Sequence, residues 1–128
     1  MNAEQRQTKR ILILDDSSDM REIYKSFFKG HSGEFKIDVE GDAHVAIEKL
    51  KKETFDLIVL DIIMEPMTGE AFLMYARENK SSENTPIIVV SVLSESILKS
   101  LKRFKAVHFL QKPVTEVQLI TAINQHIG

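Results

Sequence analysis

Four short apolar runs constrain this chain more than anything else in it: Ile11-Leu12-Ile13-Leu14, Leu57-Ile58-Val59-Leu60, Ile87-Ile88-Val89-Val90 and Val107-His108-Phe109-Leu110. None of them alternates apolar with polar residues along its length. A strand built this way has both faces covered, as in a parallel sheet sandwiched between helices. Between the runs, apolar residues recur at three- and four-residue steps. Met20, Ile23, Tyr24, Phe27 and Phe28 form one stripe, behind a cap at Ser17, Ser18 or Asp19, and Gly30 and Gly33 bracket its exit. Ala46, Ile47 and Leu50 form a second stripe, within about Asp42 to Lys52. Phe72, Leu73 and Ala76 form a third, which Thr68 can cap and which runs to about Asn79. Ile97, Leu98, Leu101 and Phe104 follow Ser94, and Thr115 with Gln118 has the pattern of a capping box for a last helix through Ile127. Phe35-Lys36-Ile37-Asp38-Val39 alternates strictly and is therefore expected at a sheet edge, half exposed. Strand and helix alternate five times, which predicts an α/β fold with a doubly wound parallel sheet.

With 128 residues the chain suits a single domain with a single core. Residues 1–9 read as a flexible polar leader and 10–128 as the domain. A net charge of -2 gives no reason to expect direct nucleic-acid binding, which needs clustered cationic excess. The absence of cysteine excludes a disulfide framework, a thiolate nucleophile and a Cys-based zinc site, and fits a reducing cytoplasm. No apolar run approaches the roughly 18 residues of a membrane span, and the polar start Met1 to Gln7 lacks the apolar region of a signal peptide. A cytoplasmic protein without membrane contact is expected.

Only the connections that leave strands reach the carboxyl edge of such a sheet, where open α/β folds hold their ligands. Asp15 and Asp16 follow the first run, Asp61 ends the second, Ser91 the third, and Lys112-Pro113 closely follows the fourth. Taken singly, an aspartate after a strand is more often a helix cap, and a lysine before proline a solvated surface group. Together, three carboxylates converging on one point repel one another unless a cation is present. Hard oxygen ligands that leave room for water suit Mg²⁺. Such a site would offset the charge of an incoming phosphoryl group, with Asp61 attacking phosphorus and Lys112 and Ser91 contacting its oxygens.

This arrangement resembles the receiver domain of two-component response regulators over about residues 9 to 127. The matching residues are Asp15-Asp16 with Arg21 in the following helix, Asp61 with Met64, Met67 and Gly69 downstream, Ser91, and Lys112-Pro113. The resemblance implies a flavodoxin-like (βα)5 fold with strand order 2-1-3-4-5, and the alternating second strand agrees with that order. It implies that Asp61 is the phosphoacceptor and that Asp15, Asp16 and Asp61 organise Mg²⁺ with the backbone carbonyl of Ile63. Ser91 would be the switch hydroxyl, Lys112 the partner of the acyl phosphate, and Phe109 the residue at the aromatic switch position. The implied phosphoryl donor is a sensor histidine kinase or a phosphotransfer protein. An output partner would read the face made by the fourth helix, last strand and last helix, on a monomer or a phosphorylation-dependent dimer. The residues two places after the acceptor and two places after the switch hydroxyl flank the path of the hydrolytic water in receivers. Here they are Ile63 and Leu93, both aliphatic, so a long-lived phosphoryl group is expected. The pattern departs in one place: receivers usually carry proline directly after the methionine of this loop, and here Glu65 stands between Met64 and Pro66. That adds an anionic group near the site and removes no catalytic one.

Other readings fit less well. A phosphatase of the haloacid-dehalogenase type wants a second aspartate two residues after the nucleophile, where this chain has Ile63. A phosphorylation-independent interaction domain would not need the intact set of Asp15, Asp16, Asp61, Ser91 and Lys112. A flavin carrier would need a phosphate-binding loop after the first strand. The only catalysis expected is the chain's own aspartyl phosphorylation and dephosphorylation. His31, His44, His108 and His126 show no ligand spacing and are expected at the surface or partly packed. Lys99, Lys102, Arg103 and Lys105 are expected to form a solvated face, and Met64, Met67 and Met74 to pack. With no DNA-binding or enzymatic effector segment in the sequence, a stand-alone regulator or a receiver cut from a longer protein is expected.

Overall fold

The computed structural model describes residues 8–64 and 67–127; most of the expected leader, together with Glu65 and Pro66, lies outside the described residues. Strands β1 (Lys9–Leu14), β2 (Phe35–Glu40), β3 (Leu57–Leu60), β4 (Ile87–Ser91) and β5 (Val107–Gln111) alternate with helices α1 (Ser18–Phe28), α2 (Ala43–Lys52), α3 (Gly69–Glu78), α4 (Glu95–Leu101) and α5 (Glu116–Ile127). The strands form one parallel sheet in the order β2-β1-β3-β4-β5. This is the flavodoxin-like order, and it leaves the alternating strand β2 at an edge.

The consecutive apolar residues of the inner strands divide between two cores. Leu12, Leu14, Ile58, Leu60, Ile87 and Val89 face α2, α3 and α4, where they meet Ala46, Leu50, Phe72, Leu73 and Leu101. Ile11, Ile13, Leu57, Val59, Ile88 and Val90 face α1 and α5 and meet Tyr24, Phe28, Leu119 and Ile123. Each fully buried side chain of this size contributes about 1.5–3 kcal/mol. The polar half of β2 is paired rather than simply solvated. Asp38 and Glu40 both bind Lys49 of α2, and Asp38 also lies 3.7 Å from Arg10.

The helix starts are fixed by the expected oxygens. Ser17 accepts from the Met20 amide, Thr68 from Ala71 and Ser94 from Ile97, while Thr115 and Gln118 exchange reciprocal bonds of 2.9 and 3.1 Å. One helix end matches the periodicity and one does not. The first helix is followed by a 3-10 turn at Lys29–His31 before the chain reaches β2. The fourth helix stops at Leu101, so Phe104 lies in the turn beyond it, where its amide bonds to the Leu101 carbonyl three residues back. Ala106 closes that turn at φ 55, a left-handed conformation that no helix can continue through.

At the end of the sheet where β4 and β5 begin, one side chain ties several segments. The Arg77 guanidinium donates to the carbonyls of Ser82, Thr85, Lys105 and Ala106 at 2.8 to 3.3 Å. At the opposite edge, Gly69 opens α3 so close to the end of β3 that a Cβ there would lie 2.5 Å from the Asp61 carbonyl oxygen and from Ile62 Cα. Only glycine allows that approach, and the Gly69 amide uses it to bond the Ile62 carbonyl at 3.0 Å.

Candidate functional site

The sheet order places the strand ends side by side, and with them Asp15 after β1, Asp61 after β3, Ser91 at the end of β4 and Lys112 after β5. Backbone bonds lock this edge. The Asp15 amide bonds the Glu40 carbonyl, the Asp61 amide the Leu14 carbonyl, and the Lys112 amide the Ser91 carbonyl, all at 2.9 to 3.1 Å. Asp15, Asp61 and Ser91 are buried, while Asp16 is exposed. One carboxylate oxygen from each of Asp15, Asp16 and Asp61 lies within 4.8 Å of the others.

Each oxygen of Asp61 has a defined neighbour. Ser91 Oγ donates to Oδ1 at 2.8 Å, the Ile63 amide reaches the same oxygen at 3.2 Å, and Lys112 Nζ donates to Oδ2 at 3.2 Å. Asp15 is held in the same way, by the Ser17 amide on Oδ1 at 2.9 Å and by Lys112 Nζ on Oδ2 at 3.0 Å. Burial raises the Asp15 carboxyl above the ordinary 3.8, and the Ser17 and Lys112 donors only partly oppose it. Burial alone would depress Lys112, but its hydrogen bonds and charge pairing with Asp15 and Asp61 outweigh that and hold it above 10.5. The Tyr24 phenol is pushed up by its burial and then by the charges of Asp15 and Asp61, so the negative field of the site reaches the core beneath it.

An all-oxygen trio with an exposed member fits a hard divalent cation that retains water, and Lys112 meanwhile supplies the counter-charge for two of the three carboxylates. A nucleophilic carboxylate, a hydroxyl and an ammonium within hydrogen-bond reach of one another are the groups that phosphoryl transfer needs for positioning and charge neutralisation. A cleft of about 470 Å³ opens beside them, lined by Asp16, Ile62, Ile63, Met64, Thr68 and Glu70.

The remaining sequence candidates lie around this centre. Ile63 is 58% exposed at its mouth, whereas Leu93, Ile97, Phe104 and Phe109 are partly buried against the core on the α4 side of the sheet. Met64 is buried and Met67 partly so, but Met74 is 44% exposed on α3. Lys99, Lys102, Arg103 and Lys105 are exposed, with Arg103 paired to Glu70 at 2.8 Å.

Two relationships escape sequence reasoning. The Gln111 side chain accepts from the Leu93 amide at 3.1 Å, which ties the β4–α4 connection to β5. His108 and His126 stack with ring centroids 3.5 Å apart. The first has no motif. The second joins a strand to the last turn of a helix 18 residues on, so only their shared place on one side of β5 could have suggested it.

A sequence profile of the response regulator receiver domain matches residues 11–124. The chain belongs to the response regulator receiver family. A protein-glutamate methylesterase/protein-glutamine glutaminase of Chromobacterium violaceum is 33% identical to this receiver over 112 residues, covering 85% of the receiver and 31% of that relative. The receiver thus spans less than a third of that protein's length. The chemotaxis protein CheY4 of Vibrio cholerae has the same fold, with a TM-score of 0.85 at 24% identity, covering 94% of this chain and 99% of its own. So does the receiver domain of a sensor histidine kinase of Pseudomonas aeruginosa, solved with magnesium coordinated in its active site cleft. Its TM-score is 0.84 at 15% identity, over 95% of this chain and 99% of that one. Among the described residues no helix of this receiver is long and apolar enough to cross a membrane.

Proposed function

We propose that this receiver is a phosphorylation-controlled switch in which Asp61 accepts a phosphoryl group in a Mg²⁺-dependent reaction. The observation that carries the reading is the pairing of Asp61, which holds Ser91 Oγ on one oxygen and Lys112 Nζ on the other while Asp15 and Asp16 stand within 4.8 Å. An Asp61 oxygen forms the new bond to phosphorus as the bond from phosphorus to the donor breaks and the donor leaves with its electron pair. Lys112 and Ser91 bind phosphoryl oxygens as the charge moves outward. Mg²⁺, held by Asp15, Asp16, Asp61 and the Ile63 carbonyl, would neutralise the phosphoryl oxygens.

The donor is a sensor histidine kinase or a phosphotransfer protein in the cytoplasm. The output is a repacking of the α4–β5–α5 face: Ser91 moves toward the acyl phosphate, Phe109 follows, and a partner that prefers one arrangement shifts the population. The chain's likeness to a protein-glutamate methylesterase supports an enzyme as one class of output. The test is intact-mass analysis after incubation with a small acyl-phosphate donor. Wild type gains one phosphoryl group only with Mg²⁺ and Asp61→Asn gains none; uptake by Asp61→Asn equal to wild type refutes the assignment.

A further inference from the structure

Arg21 reaches back from the first turn of α1, and its Nη1 donates to the carbonyl oxygen of Asp15 at 3.1 Å. That carbonyl belongs to the peptide unit that joins Asp15 to Asp16. The rest of Asp15 is already fixed, its amide by the Glu40 carbonyl and its two carboxylate oxygens by the Ser17 amide and Lys112. The guanidinium therefore sets the plane of the peptide from which Asp16 departs.

Gly41, just beyond β2, makes room for it. A Cβ at position 41 would lie 2.8 Å from Arg21 Cζ and closer still to Nη1, and the three atoms nearest to it all belong to Arg21. The backbone does not otherwise ask for glycine, since no glycine among the described residues has a positive φ. Nor is the obstacle a rigid one, because the colliding atoms are the far end of a flexible side chain. A methyl group at 41 would displace the guanidinium and leave the fold intact.

We propose that Arg21 and Gly41 are paired positioning residues for the divalent-cation site. Gly41 leaves the space in which the Arg21 guanidinium seats on the Asp15 carbonyl, and the seated guanidinium aims the Asp16 carboxylate. The inference rests on the proposed function in one respect, that the acid trio takes Mg²⁺. Groups that orient ligands from behind typically change metal affinity by about 10- to 100-fold when lost.

The test is Mg²⁺ titration of the full chain followed by backbone amide shifts, for wild type, Gly41→Ala, Arg21→Ala and the double variant. Gly41→Ala is expected to weaken Mg²⁺ binding roughly tenfold with an unchanged melting midpoint. Arg21→Ala should do the same, and the double variant should bind no more weakly than Arg21→Ala alone, because glycine acts only through the arginine. Gly41→Ala with wild-type affinity overturns the proposal, as does a double variant in which the two losses multiply. Should Gly41→Ala lower the melting midpoint, Arg21→Ala creates no collision and decides the matter: unchanged affinity there is equally fatal. Wild type failing to bind Mg²⁺ overturns the proposed function as well, whereas normal wild-type binding with unaffected variants overturns this inference alone.

Discussion

Ser91 Oγ donates to Asp61 Oδ1 at 2.8 Å, so the hydroxyl that ends β4 is engaged with the carboxylate at the end of β3. On the proposed function, conversion of Asp61 to an acyl phosphate would move negative charge outward onto the phosphoryl oxygens, and the hydroxyl would follow it. The main chain that follows is the β4–α4 connection, whose Leu93 amide is bound by Gln111 of β5. A small shift at Ser91 would therefore reach β5 through Gln111, two residues beyond Phe109.

Ser91→Ala should take up phosphoryl while losing most of the structural response. Beryllofluoride in place of phosphoryl should shift the amides around Phe109 in wild type and far less in the variant. Equal shifts in the two proteins would show that the hydroxyl does not transmit the change.

Lys112→Ala leaves the buried Asp15 and Asp61 without the ammonium that bridges them at 3.0 and 3.2 Å. Stability without Mg²⁺ should fall by roughly 1–3 kcal/mol, and Mg²⁺ should restore a larger part of it than in wild type. The variant should also respond less to beryllofluoride. Urea midpoints with and without Mg²⁺ check the first point, and an unchanged midpoint in metal-free buffer would contradict it.

The phosphoryl group should be long-lived. Ile63 stands exposed at the mouth of the site and Leu93, two residues after Ser91, is partly buried, and neither side chain can hydrogen-bond an attacking water. Decay of phospho-Asp61 in excess Mg²⁺ should speed up when polar groups are introduced as Ile63→Asn with Leu93→Glu. No acceleration in the double variant would remove these two residues from any account of lifetime.

The stacked pair His108 and His126 gives a prediction in pH. Burial, and then the neighbouring imidazole, lowers His108 below the ordinary 6.5. A folded pKa below the unfolded one means that the stability tied to neutral His108 is fully present above 6.5 and is lost as pH falls through the lower, folded value. Melting midpoints should drop on acidification through that window, and His126→Gln, which removes the neighbouring ring, should flatten the dependence. Identical pH profiles would detach the pair from stability.

Local chemistry carried most of the fold and of the site. Consecutive apolar residues mark the strands, hydroxyls at Ser17, Thr68, Ser94 and Thr115 mark the helix starts, and strand ends collect Asp15, Asp61, Ser91 and Lys112. These signals are readable because each depends on neighbours only a few residues away. The end of α4 was not readable, since Phe104 keeps the helical period although the helix stops three residues earlier, at Leu101. Contacts between distant segments were equally silent: the His108–His126 stack, the Gln111 clasp on Leu93, and the four carbonyls gathered by Arg77 follow from the completed sheet and have no spacing of their own.

That last contact bears on how the molecule transmits force. Arg77 fastens the Lys105–Ala106 turn, at the end of the sheet far from Asp61, to the segment that leads into β4. The turn is where α4 hands over to β5, so this end of both elements is pinned to the segment that leads into β4. A lever delivers a displacement only if its fulcrum does not yield. With Arg77 as the fulcrum, a displacement that began at Ser91 would turn α4 about its far end and emerge on the side of the sheet where Asp61 lies.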